Sequence, residues 1–401
     1  MDFNIKKTLY LPSVTAFIFV TIFDPADVIF GLKVPLFILC FIAAFFVALK
    51  RSDKKYIPIP LMIYAFMFVT IPLYSIIFYH IQNGAEPYEG FIMFKSYLFI
   101  FFAIILVLAD TDITKILSGI LSLLAICVIC LYIFLLIFPE YFIFTNALGA
   151  KYEIFYADIR SYDGTKEYRQ AYFVCSPMLV VSIAYYFFRF RETNNIDFWS
   201  LILLVLNITG LFMAGSRNNL FAGIILLPVL YIMSSRNKFL PIVLVFCFLV
   251  IFGSFYINEL ASFLDTSEVS NNTKLGYFPG YIEIFSDLHN LIFGQGLGAY
   301  YFFPNMSYPY YITELTYLEV FRNFGLIFGF FMMLMLGYPI IKTFMLSKNA
   351  LLQRYIAVAY SLYLIMCFTN PNLFNSLGMM ILSLVLYGVY KKHKHFGLLH
   401  E

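Results

Sequence analysis

Apolar runs separated by short polar breaks constrain this chain more than any other feature. About twelve are present, at Tyr10–Phe23, Val34–Leu49, Ile57–Tyr79, Phe91–Leu108, Ile113–Phe138, Ala171–Phe188, Phe198–Ala214, Leu220–Met233, Phe239–Ile257, Leu318–Ile341, Leu351–Phe368 and Leu373–Tyr390. A helix needs about 20 largely apolar residues to span a bilayer. Soluble domains are about 45–50% apolar and about 25% charged. Here 62% of 401 residues are hydrophobic and 12% charged, with a mean hydropathy of +0.85. The expected fold is an all-α polytopic integral membrane protein with about 12 transmembrane helices, forming a single integral membrane domain over 1–401. Lys6 and Lys7 precede the first run, but no small-residue cleavage site follows. The first helix is therefore expected to be retained.

Charge gives the runs an orientation. With the N-terminus inside, the inside breaks hold Lys6-Lys7, then Lys50, Arg51, Lys54 and Lys55, then Lys115, then Arg189 and Arg191, then Arg236 and Lys238, then Lys342, Lys348 and Arg354. The tail adds Lys391, Lys392 and Lys394. The short outside breaks are mostly acidic or neutral, with Asp24, Asp27, Glu86 and Glu89. The positive-inside rule then puts both termini in the cytoplasm. Two outside segments are long, at 139–170 and 258–313. Long connections without evident regular structure point to function.

Several classes are set aside. A net charge of +3 gives no footprint for nucleic acid. The six cysteines all lie in apolar runs, and Cys127-x-x-Cys130 has no His or second pair beside it. No disulfide framework, metal site or cofactor is expected. No Walker A motif or internal repeat is evident.

Chemistry is sought among outside ionisable groups. Arg160, Arg169, Arg217 and Arg322 all run against the orientation bias. A guanidinium fork matches phosphate oxygens bidentately. The competing reading for each is a local carboxylate partner or a headgroup contact. Asp158, Asp163 and Glu167 make that rival stronger for Arg160 and Arg169 than for Arg217. Glu314 precedes an apolar helix and reads in two ways. Apolar flanks would make it a general base. Alternatively, Thr313 caps that helix and Glu314 favours its dipole. Glu319 is a weaker base that could orient a substrate. His289 is a lone histidine beside Asp287, more often structural than functional. Asp110-Thr-Asp112 reads as a helix cap, whereas Asp24 and Asp27 are either a turn or the acid of a lipid-phosphate-sugar transferase. Gly294, Gly296 and Gly298 lack dinucleotide-fingerprint spacing and are expected to allow a tight turn with close backbone approach.

Three stretches together resemble the superfamily of O-antigen polymerases (Wzy) and O-antigen ligases. They are Ala214-Gly-Ser-Arg217-Asn-Asn-Leu220, Leu291-Ile-Phe-Gly294-Gln-Gly296-Leu-Gly298, and Glu314-Leu-Thr-Tyr317-Leu318 through Gly325-Leu-Ile-Phe-Gly329. Arg160 with Gly164 is similar to the Arg/Gly pattern of the family's earlier outside loop. Lys274 stands where the family often has an arginine ahead of the glycines. Glu314 takes a slot that holds His in many ligases, which leans toward polymerase. The resemblance implies a glycosyltransferase-C-like, metal-independent enzyme of the bacterial inner membrane with two long periplasmic loops and a periplasmic active site. Donor and acceptor would be undecaprenyl-diphosphate-linked oligosaccharides, polymerised into O-antigen or a related surface polysaccharide. A chain-length regulator and a flippase of the same pathway would be partners, besides membrane lipids. Arg217 and Arg160 would hold diphosphate and Glu314 would act as base, with Arg169, Lys274, Arg322 and His289 as weaker substrate contacts. Tyr300, Tyr301, Tyr308, Tyr310 and Tyr311 would stack on sugars or anchor at the interface. Ligase, a transferase using a lipid-phosphate sugar, and a lipid-linked-oligosaccharide flippase remain alternatives.

Overall fold

A computed structural model describes residues 6–50, 57–84, 86–161, 167–192, 197–235, 243, 269–302, 311–346 and 350–397. In hydrocarbon every backbone N–H and C=O must be paired within its own segment, which the α-helix achieves. The apolar runs that are described accordingly form helices, apart from the start of the sixth. After a short π-turn at Lys6–Tyr10 come α1 (Leu11–Phe23), α2 (Lys33–Leu49), α3 (Ile59–Asn83), α4 (Tyr88–Tyr97) and α5 (Phe102–Ala109). A 3-10 turn at Leu98–Phe101 joins the last two. Then follow α6 (Thr114–Ile137), α7 (Phe142–Tyr152), α8 (Leu179–Glu192), α9 (Phe198–Met213) and α10 (Arg217–Ser234). The remaining helices are α11 (Val269–Ser286), α12 (Leu288–Phe293), α13 (Thr316–Met345), α14 (Leu351–Met366) and α15 (Ser376–Gly397).

Six of these segments are long and apolar enough to cross a membrane: Ile59–Gln82, Tyr88–Ala109, Thr114–Ile137, Arg217–Ser234, Thr316–Met345 and Leu351–Thr369. Thr8–Phe23, Lys33–Leu49, Phe198–Met213 and Ser376–Lys391 are apolar but shorter. The ninth apolar run, Phe239–Ile257, lies outside the described residues except for Val243.

The two long connections differ from expectation. Where it is described, segment 139–170 holds a 3-10 turn at Pro139–Tyr141, α7, then the antiparallel strands β1 (Phe155–Ser161) and β2 (Glu167–Phe173). Among the described residues the fold is therefore mostly helical with one small sheet, not purely α. The sixth apolar run is also corrected, because its first residues, Ala171–Phe173, finish β2 and its helix begins only at Leu179. Segment 258–313 is likewise not an open loop where it is described, since it holds α11 and α12.

Small and polar side chains set the packing. A Cβ on Gly210 of α9 would lie 2.8 Å from the Ala125 Cβ of α6. Close backbone approach of this kind is how helices associate where apolar surface gives no driving force. Asn207 of α9 donates to Ser122 Oγ of α6 at 2.8 Å, and its Oδ1 accepts from Ser182 Oγ of α8 at 2.6 Å. This buried triangle pins three helices together.

Loops gather at two ends. At the basic end Lys6 Nζ donates to the Ala109 and Asp110 carbonyls, and Lys391 pairs with Asp112 at 3.8 Å. Arg354 binds the Leu346 carbonyl there at 2.6 Å. At the other, loop-rich end Cys175 Sγ donates to the Ile22 carbonyl, Asn372 to Tyr172 Oη, and Asn218 to Thr369 Oγ1. Breaks that the charge pattern assigns to one side thus meet one another in space.

Candidate functional site

A cavity of about 560 Å³ opens at the loop-rich end. Five regions build it: one face of the hairpin, the start of α10, the start of α11, the connection before α13 and the connection after α14. Arg217, Lys274 and Glu314, read separately from the sequence, all line it.

Each is placed by local rules. Ser216 caps α10, its Oγ accepting from Asn219 N at 3.1 Å. Arg217 is consequently the first helical residue, at the positive end of the helix dipole. Asn218 fastens this turn to the Met366 carbonyl and Thr369 of the neighbouring helix end. Arg217 Nη1 donates to Asn271 Oδ1 at 3.1 Å. Asn271 and Lys274 are three apart on α11 and so share a face. Lys274 Nζ stands 3.5 Å from Glu314 Oε2. One end of the cavity is thus cationic, with a carboxylate at its margin.

The hairpin contributes by alternation. Residues two apart on a strand share a face, and Gln170, Tyr172 and the cross-strand Tyr156 line the cavity. Gln170 is 5% exposed, and its Oε1 has no hydrogen-bond partner among the described residues. Such an acceptor costs about 1–3 kcal/mol when left unpaired, which a ligand donor or water removes. Burial pushes the Tyr172 phenol above its usual range, so it stays a donor.

Glu314 has neither the apolar surroundings nor the first-turn place that the two readings assumed. Its side chain is 50% exposed and faces Lys274, not an apolar enclosure. It is not in the first turn either, because α13 begins at Thr316 and no side chain caps it. Thr313 Oγ1 instead accepts from Leu315 N at 3.3 Å and donates to Glu319 Oε1 at 3.1 Å.

The other arginines lie elsewhere. Arg322 is fully buried. Its Nε and Nη2 bind Glu319 at 3.0 and 2.7 Å, Nη2 also binds the Tyr311 carbonyl, and Nη1 binds Gln295 Oε1 and the Ala299 carbonyl. A guanidinium has five N–H groups, and here the protein uses all of them. Arg322 is a clamp between α13 and the glycine turn, which corrects its reading as a diphosphate contact. Glu319 is its counter-ion and also accepts from Tyr281 Oη at 2.5 Å. Arg169 points away from the cavity and donates to the Leu135 and Leu136 carbonyls at the end of α6. Arg160 holds the register position opposite Tyr168, and its side chain lies outside the described residues, as do Asp163 and Gly164. His289 is away from the cavity, stacked on Phe78 with centroids 5.6 Å apart and bonded to Gln82 at 3.1 Å.

Three further groups resolve as structure. Asp24 is fully buried and accepts from the backbone N–H groups of Val28, Ile29 and Phe30 at 2.9, 3.0 and 2.7 Å. Asp27 accepts from Lys33 N at 3.0 Å. Gly294, Gly296 and Gly298 all have positive φ, and the turn they form abuts Asn323, Tyr79 and Gly90. Among the tyrosines, Tyr300 donates to Glu89 at 3.0 Å and packs edge-on to Tyr311, whereas Tyr308 and Tyr310 lie outside the described residues. Among the described residues no three His, Cys, Asp or Glu side chains converge as a metal site.

Gln170, Tyr172 and Asn271 escaped the sequence reading. A signal did exist for the first two. Asp163-Gly164 between alternating segments is a hairpin signature. Comparison of the chain with protein-family models, curated proteins and solved structures found no match.

Proposed function

We propose that this protein is a glycosyltransferase of the bacterial inner membrane that polymerises undecaprenyl-diphosphate-linked repeat units of O-antigen or a related surface polysaccharide. One observation carries the reading. In a molecule this apolar, Arg217, Lys274 and the α10 N-terminus converge on a cavity at the end opposite the basic loops, with the Glu314 carboxylate at its edge. The positive-inside rule makes that end periplasmic and both termini cytoplasmic, with about 12 spans in a glycosyltransferase-C-like bundle.

The residues suit the chemistry. A sugar hydroxyl of the acceptor attacks the anomeric carbon of the donor glycan. The carbon–oxygen bond to the diphosphate breaks, and undecaprenyl diphosphate leaves with the bonding pair. Arg217 and Lys274 neutralise the charge that develops on the leaving oxygen, with no metal in the scheme. An incoming diphosphate competes with Glu314 for Lys274. The released carboxylate then takes the hydroxyl proton. Arg160 occupies a strand position on the same face as Tyr156 by alternation, and is assigned to the glycan or diphosphate. A flippase of the same pathway would supply the substrates, and a chain-length regulator would act on the product.

The test is polymerisation of synthetic lipid-linked repeat units by the purified protein. Wild type gives a ladder of products. Arg217→Ala lowers the rate by about 10²–10³-fold, the scale of one lost transition-state donor, and Arg217→Lys restores only part. Glu314→Ala falls comparably. Full activity in both variants overturns this site. No lengthening by wild type, with transfer instead to lipid A core, turns the reading to ligase.

A further inference from the structure

A second cavity, of about 350 Å³, lies beside the first and shares Pro371 with it. Thr313 lines the second and the next residue, Glu314, lines the first. One peptide link therefore forms the wall between them. The two linings differ in kind. The first holds Arg217 and Lys274, whereas no lysine or arginine lines the second among the described residues. Tyr97, Tyr311 and Phe374 line it, the first and third stacked on each other with centroids 5.2 Å apart, and so do Asn323 and Glu319.

Asn323 is decisive. Its side chain is 4% exposed, and its Oδ1 has no hydrogen-bond partner among the described residues. Within the network beneath the cavity, Glu319 Oε1 takes three donors, from Tyr281, Thr313 and Arg322. Among the described residues its Oε2 takes only Arg322, which leaves acceptor capacity. Buried acceptors of this kind call for hydroxyl donors. Aromatic walls call for a ligand with an apolar face. Glu153 adds a second lining carboxylate, and with no lysine or arginine among the described lining residues this disfavours phosphate and acidic sugars. The volume lies within the usual range of small-ligand sites, about 300–1,000 Å³.

We propose that this second cavity is a subsite for an uncharged sugar ring, and that it holds the acceptor's terminal sugar with its hydroxyl directed past Glu314 toward the cationic cavity. The role as acceptor subsite rests on the polymerase reading. Sugar binding rests on the cavity alone.

The experiment has two arms on the full-length protein in detergent. The first measures binding of the phosphate-free repeat oligosaccharide, released by mild acid from the surface polysaccharide of the host strain, by saturation-transfer NMR. Binding is expected, weakened at least tenfold by Asn323→Leu and by the half-exposed Tyr311→Ala, and unaffected by inorganic diphosphate. Each variant is first shown to melt within a few degrees of wild type. Absence of binding to wild type overturns the subsite. So does displacement by diphosphate with no loss in either variant, which moves the sugar to the first cavity. The second arm is the lipid-linked assay, in which both variants raise acceptor KM and leave donor KM unchanged. Lengthening that ignores both variants sinks the subsite and spares the polymerase reading. Oligosaccharide binding with the expected losses but no lengthening by wild type sinks the polymerase reading and leaves the sugar site standing.

Discussion

Arg322 and Arg217 carry the same guanidinium and have opposite fates. Arg322 is dry and bound to a single carboxylate and three neighbouring acceptors. Arg322→Leu leaves Glu319 buried without its counter-ion and is expected to cost about 3–5 kcal/mol. Thermal unfolding in detergent reads the loss, and adding Glu319→Gln to the same chain should recover part of it. Asp24 gives a prediction that also separates two functions. Its carboxylate closes the first loop by three backbone hydrogen bonds. Asp24→Ala should lower stability by about 1.5–3 kcal/mol, with activity per folded molecule retained. A transferase fed by lipid-phosphate sugars, with this acid in its chemistry, would lose its activity instead.

At the scale of elements, the kink in α13 decides where the site residues go. Gly325 has φ +68°, and a Cβ there would meet the Ile292 carbonyl oxygen at 2.1 Å. The break lets Gln295 N bond the Arg322 carbonyl at 2.7 Å, and Ser75 bridge Asn323 O to Leu297 N at 2.8 Å each. Neither backbone can yield, so Gly325→Ala is expected to abolish the monodisperse peak in size-exclusion chromatography. Gly298→Ala, whose Cβ would sit 2.3 Å from Gly90 N, should do the same. Gly119→Ala meets nothing within 4 Å and should be neutral, or stabilising by up to about 1 kcal/mol. The tight glycine turn was legible, since alternate glycines permit little else. The hairpin was misread because hydropathy windows long enough for helices average out a period of two. The Asp163-Gly164 pair as a turn signal and the alternation of Tyr156, Gln170 and Tyr172 were present in the residues all along.

Across the whole molecule, the arrangement of the two ends gives a direct test of orientation. Glu89 reaches Tyr300 at the loop-rich end, while Lys50 follows α2 at the other. In a cysteine-free background, Glu89→Cys should react with a membrane-impermeant maleimide on intact spheroplasts, and Lys50→Cys only after lysis. The reverse pattern would turn the protein over and place both cavities on the cytoplasmic side. α11 links the ends of the site: Asn271 meets Arg217, Lys274 meets Glu314, and Tyr281 meets Glu319. Burial and the adjacent carboxylate push the Tyr281 phenol well above its usual range, so it remains the donor in that contact.

The sequence by itself determined the helical character, the alternation of basic and acidic breaks, and the candidacy of Arg217 at the start of a helix. Hydropathy, charge and capping are properties of contiguous residues, so they can be read along the chain. Only the tertiary structure decided which ionisable groups face a cavity and which are spent inside the protein. Arg217, Lys274 and Glu314 are far apart in the chain, and so are Tyr97, Asn323 and Phe374. Their convergence depends on how helices pack and where α13 breaks, and no local pattern carries that information. The same packing used every donor of Arg322 and left the side-chain oxygens of Gln170 and Asn323 without partners among the described residues.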